Sequence, residues 1–139
     1  MSTARLIVTL LAALVGQAAC AQPPRTIDIG MFDSMRYSPS RVTVGLGEKI
    51  RFSVRNKGKV RHEIVIGTSE EIAHHRHAMQ ADPGMAHAAP NMAHVAPGGR
   101  AQLLWQFDSA GELEYACLLP GHYEAGMRGS ILVSPATKL

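Results

Sequence analysis

Cysteine is nearly missing from this chain: only Cys20 and Cys117 occur in 139 residues. Aromatic residues are scarce at 5 %, and no dense run of one charge appears. Each shortage excludes something. Two thiols, one of them in a segment expected to be removed, make no disulfide framework. The net charge of +3 comes from scattered arginines and lysines, without the basic stripe or the motifs of a nucleic-acid module. Such a balance serves solubility, with some steering toward an acidic partner. The length suits one ordinary domain.

Long apolar runs are few as well. The one candidate, Leu6 to Val15, comes after Arg5 and before the small-residue stretch Gly16 to Ala21. A run of about ten residues falls short of the roughly 20 that a membrane-spanning helix needs, whereas Ala19 and Ala21 fit an A-x-A cleavage pattern. Residues 1–21 are therefore expected to be an export signal, with residues 22–139 the mature domain. The expected location is the periplasm, with no integral membrane span. Lipid attachment at Cys20 is the alternative, but Gln17 stands where such signals usually carry leucine. Cleavage leaves Cys117 as a lone thiol, which in an exported protein is reactive, intermolecular or a ligand.

The rest of the sequence reads as an all-β chain. Arg41 to Val44 and Lys49 to Arg55 alternate polar and apolar residues with period two, separated by Gly45-Leu46-Gly47-Glu48. Thr26 to Ile29, His62 to Ile66, Ala101 to Phe107, Glu112 to Ala116 and Gly129 to Val133 are further strand candidates. Short strands with turn chemistry between them predict an antiparallel β-sandwich. Trp105 and Phe107, at alternate positions, are expected in its core. Residues 69–99 interrupt the pattern. Glu70 to Gln80 is a candidate helix, and Pro83-Gly84, Pro90 and Pro97-Gly98-Gly99 break the stretch after it. This expected insertion holds five of the seven histidines, His74, His75, His77, His87 and His94, with Met79, Met85 and Met92.

A thiolate, an imidazole and a thioether succeed one another at five-residue intervals in Cys117-Leu118-Leu119-Pro120-Gly121-His122-Tyr123-Glu124-Ala125-Gly126-Met127. The run begins just after a strand and turns on Pro-Gly. Thiolate favours copper, imidazole suits both copper oxidation states, and a long thioether contact completes a trigonal His₂Cys site. A second histidine is needed, and His62 stands at the start of a strand after a glycine-containing turn.

On these residues the chain resembles the cupredoxins, the blue copper family. The likeness extends through Tyr37-Ser38-Pro39, Val42-Thr43-Val44 and Gly47 to Phe52 leading to Asn56. It implies a Greek-key sandwich binding one type 1 copper through His62, Cys117, His122 and Met127. The Cys117 to His122 spacing resembles azurin, and the His122 to Met127 spacing resembles plastocyanin. A His/Met-rich segment between the His62 strand and the Trp-Gln-Phe strand is similar to small periplasmic copper-tolerance cupredoxins of bacteria. Glu63 is a departure: many relatives carry asparagine after the first histidine, to tie the ligand loops together, and an ionised carboxylate is an acceptor only. Glu124 competes with Met127 as axial donor.

Three uses are open to such a chain. A copper-tolerance protein would exploit the histidines and methionines of residues 69–99 as an additional copper site, although zinc or nickel could bind histidines too. A soluble electron carrier would need only the four ligands and a redox or copper-transfer partner. An enzyme is disfavoured, since one short domain offers no second catalytic copper centre.

Overall fold

The computed structural model describes residues 23–82 and 88–135. The expected export signal with Cys20, and also Met85 and His87, lie outside the described residues. In chain order the elements are β1 (Arg25–Phe32), β2 (Arg36–Ser38), β3 (Arg41–Gly45), β4 (Lys49–Asn56), β5 (His62–Gly67), α1 (Ser69–Ala81), β6 (Met92–Val95), β7 (Arg100–Gln106), β8 (Gly111–Ala116) and β9 (Arg128–Ser134).

Successive side chains of a strand point to opposite faces, so alternation in sequence becomes inside and outside. In β4, Ile50, Phe52, Val54 and Asn56 are buried while the residues between them are not. The apolar three pack with Ile29, Met31, Phe107, Tyr115 and Ile131 between two sheets. One sheet has the order β2-β1-β4-β7, the other β3-β9-β8-β5-β6.

The sandwich is as expected, but it is not purely antiparallel. β1 pairs with β4 in parallel, and β3 with β9. Between β1 and β4 the chain crosses to the other sheet to form β3, and the return lays β4 alongside β1 in the same direction. Such crossovers are the usual route to parallel neighbours.

Residues 69–99 also differ from the insertion expected. Thr68 caps α1: its hydroxyl accepts from the Glu71 amide at 3.2 Å, and the Glu71 carboxylate accepts from the Thr68 amide at 2.8 Å. Residues 92–95 are a strand of the sandwich, β6, in antiparallel register with β5. Ile72 and Met79 of α1 and Met92 of β6 pack with Val65, Ala116 and Leu118 in a second apolar cluster. β5 is consequently buried at all six positions. Its Ile64 and Ile66 face the inter-sheet core, and Val65 faces the second cluster.

Trp105 is half-buried at the margin of the main core, whereas Phe107 lies fully inside it. No helix among the described residues is long and apolar enough to cross a membrane.

Candidate metal centre

Three backbone segments converge at one end of the sandwich: the start of β5, the loop between β8 and β9, and the turn after β1. The loop is held at its neck, where the Cys117 amide donates to the Met127 carbonyl at 3.0 Å and the Met127 amide donates to the His122 carbonyl at 3.0 Å. Gly121 takes φ +81, a left-handed conformation that costs glycine little. From β2, Arg36 Nη1 donates to the Ala125 carbonyl at 2.7 Å. A short strap tied at both ends is thereby presented opposite β5.

The turn before β5 is built around two side chains. Buried Asn56 accepts from the Gly58 amide at 2.9 Å and donates to the carbonyls of Val60 (2.8 Å) and Val95 (3.0 Å). Asp33 accepts from the amides of Lys59 (2.7 Å) and Val60 (3.3 Å). Gly58 is needed for this approach, because a Cβ there would overlap the Asp33 carboxylate.

The convergence brings ligand atoms of His62, Cys117 and His122 within 4.8 Å of one another, the one such group of histidine, cysteine and carboxylate residues found among the described residues. Cys117 Sγ and His122 Nδ1 are 3.2 Å apart, and the two imidazole rings lie 5.2 Å apart centre to centre. His62 Nε2 is 3.1 Å from Asp33 Oδ1, while its buried Nδ1 has no hydrogen-bond partner. An orphaned buried nitrogen is costly unless something else binds it. Here it is the ring atom left over once Asp33 orients the imidazole, the arrangement metal-ligating histidines adopt.

Met127 is completely buried in the same core cluster as Cys117. Glu124 is exposed, with Oε1 3.9 Å from Arg76 Nη1. Of the two expected axial donors, the thioether is therefore the one enclosed with the sulfur, and the carboxylate faces another partner.

Burial pushes the Cys117 thiol up to about 12, against the opposing pull of amide hydrogen bonds from Glu63 and Leu119. Burial also lowers the His122 imidazole, with the nearby His62 adding to the effect. The metal-free centre thus holds a neutral imidazole and a protonated thiol, and a metal must displace that proton. Asp33 is held below the usual carboxylate range, first by the Lys59 amide and then by Val60 and His62.

Soft sulfur, two imidazoles and a buried thioether make a donor set suited to copper. Residues 26–134 match the family described as copper binding proteins, plastocyanin/azurin family. The chain belongs to this family. Among curated cupredoxins it is 46 % identical over 118 residues to the copper-resistant cuproprotein CopI of Rubrivivax gelatinosus, covering 85 % of this chain and 70 % of that one. It is 35 % identical over 147 residues to the copper-resistant cuproprotein CopI of Pseudomonas aeruginosa, covering 85 % and 81 %. The dithionite-reduced auracyanin of the photosynthetic bacterium Roseiflexus castenholzii superposes with a TM-score of 0.69 at 25 % identity, covering 82 % of this chain and all of that one.

The other histidines and methionines go elsewhere. His74 and His77 lie one helical turn apart on α1, while Met79 and Met92 are buried as packing. His94 Nδ1 lies 3.0 Å from Glu63 Oε2. Sequence reasoning missed Asp33, which sits 29 positions from the histidine it orients and carries no local signal of that role. It also missed how Glu63 acts: being an acceptor, it ties the loops by receiving the Leu118 amide at 2.8 Å.

Proposed function

We propose that this cupredoxin is a periplasmic copper-tolerance protein that holds one redox-active type 1 copper through His62, Cys117, His122 and Met127. The observation that carries the reading is the donor triangle of buried His62 and Cys117 with half-buried His122, beside a His62 Nδ1 that has no hydrogen-bond partner. Copper bound there would supply a one-electron Cu(I)/Cu(II) couple. The chain's own part is to keep the donors in one geometry: Asp33 sets the His62 ring, the neck of the loop sets Cys117 against Met127, and burial excludes water. A site that needs little rearrangement serves both storage and electron transfer.

Copper tolerance is preferred because 85 % of the chain aligns with proteins named for copper resistance. The pair His74 and His77 extends this reading to a second, looser copper on α1. The competing reading is a soluble electron carrier, favoured by the complete donor set and by the likeness to auracyanin. The domain is read as non-catalytic in either case, with copper ions and a redox or copper-transfer protein as its partners.

The test is growth of a gene-deletion strain in copper, complemented with wild type, with Cys117→Ala and with a protein lacking the α1 histidines. Tolerance restored by wild type but not by Cys117→Ala supports the reading. Undiminished tolerance in the deletion strain, together with a respiratory defect that His62 and Cys117 repair, would replace it by the electron carrier.

A further inference from the structure

Beside the proposed copper ligands sits a charged residue that the sandwich does not need for packing. Glu63 is fully buried on β5. Because strand neighbours face opposite ways, His62 is directed to the metal side, and the Glu63 side chain lies on the side of the second apolar cluster. Its amide, its carbonyl and Oε1 are each hydrogen-bonded, and Oε2 lies within ion-pair distance of His94. Its amide donates to Cys117 Sγ at 3.4 Å, and its carbonyl accepts from the Tyr37 hydroxyl at 2.6 Å. Oε1 accepts from the Leu118 amide at 2.8 Å, and Oε2 faces His94 Nδ1 at 3.0 Å.

We propose that Glu63 is a positioning residue of the copper centre and that His94 of β6 locks it in place. The inference rests on the copper centre proposed above. One residue holds both the sulfur and the peptide after it, so the Cys117 backbone cannot turn without breaking the bond to Oε1. His94 is opposite Glu63 in the β5–β6 register, which sets its Nδ1 3.0 Å from the second oxygen, on a strand that lies in the interrupting segment. The sequence thus uses one of its apparently spare histidines as a prop for the ligand next door.

Stability alone is a poor reason to keep this pair. Burying a carboxylate is expensive even when it is paired, and a well-packed apolar side chain often serves a core as well or better. What a carboxylate adds here is an acceptor matched to the Leu118 amide, with negative charge placed near the sulfur. That charge favours Cu(II) over Cu(I). Glu63→Gln keeps the shape and the acceptor for Leu118 while removing the charge. His94→Ala keeps the charge and removes the lock, and His94→Asn returns an N–H donor near the position of Nδ1.

The experiment measures reduction potential and visible absorption of the copper-loaded full chain, and amide hydrogen exchange at Leu118 in the metal-free protein. In Glu63→Gln the ratio of Cu(I) to Cu(II) affinity should rise roughly tenfold, which is about 59 mV for a one-electron couple. In His94→Ala the Leu118 amide should exchange faster and the absorption maximum should shift, with His94→Asn returning both toward wild type. If Glu63→Gln fails to fold, the two His94 variants decide, since they leave Glu63 in place. Unchanged potential, absorption and Leu118 exchange in the folded variants overturn the proposal, as does a fall in melting temperature alone. A wild-type protein without thiolate-to-copper absorption, or a Cys117→Ala protein that keeps it, overturns the copper centre as well.

Discussion

Two parts of this molecule are rich in the same side chains and use them in opposite ways. In the loop from Cys117 to Met127, sulfur and imidazole face inward and meet His62 within 4.8 Å. In residues 69–99, Met79 and Met92 fill an apolar cluster, His74 and His77 stay on the outer part of the helix, and His94 supports Glu63. Donor chemistry is similar in both. The difference lies in the backbone: a loop tied at both ends opposite a buried strand converges its side chains, whereas an amphipathic helix spreads them around its circumference.

The sharpest way to break the comparison is to remove a donor from the converging region. Cys117→Ala should abolish the intense visible absorption of the copper-loaded protein. Its copper affinity should fall well beyond the roughly 10–100-fold that outer-shell changes cost, as read by competition with a chelator. Next comes Met79→Ala, which deletes an enclosed side chain of the second cluster. It should destabilise the metal-free protein by about 2–5 kcal/mol in urea unfolding and leave the absorption of the copper centre unchanged. A change of absorption as large as that of a ligand variant would erase the distinction between packing and ligation.

Asp33→Asn tests whether the turn after β1 belongs to the converging region. Lys59 and Val60 donate to different carboxylate oxygens, so the single oxygen of asparagine replaces only one of these acceptors and the charge behind His62 is lost; copper affinity should fall roughly 10–100-fold.

Acidity sharpens the same point. The thiol is pushed up to about 12 and the His122 imidazole is lowered, so above neutral pH the metal displaces one thiol proton and none from His122. Apparent copper affinity should therefore rise by about tenfold per pH unit between roughly pH 7 and 9, in titrations corrected for metal hydrolysis. A flat profile would mean that Cys117 does not bind as the thiolate. The smallest effect belongs to the dispersed region: His74→Ala with His77→Ala should change stability by no more than about 0.5 kcal/mol and leave the absorption as it was.

Much of this was legible in the chain. The period-two runs located most of the strands, because alternation is the direct imprint of a half-buried sheet. β2 and β6 were not legible: Arg36–Ser38 is too short to show a period, and Met92–Val95 hides among prolines and glycines. The cysteine, histidine and methionine of the loop stood out because a short strap keeps its donors close in sequence as well as in space. His62 was singled out as the missing second histidine by its place at the start of a strand after a glycine-containing turn, and the cupredoxin resemblance implied it as a ligand. Asp33, Glu63 and His94 act through contacts with residues 29 or more positions away; Glu63 stood out as the residue after His62, but no local pattern gives the partners of any of the three.

The sequence by itself determined the chemistry on offer: soft and imidazole donors on a short turn, alternating strands to carry them, and a single thiol in the expected mature chain. Tertiary structure decided which donors meet. It enclosed Met127 with the sulfur while Glu124 faced Arg76, aimed His62 Nδ1 by binding the far side of its ring, and turned His94 into a support for Glu63. The reason is physical. Residue type sets what an atom can bind, but only the packing of two sheets and the hydrogen bonds between distant turns bring such atoms within reach of one ion.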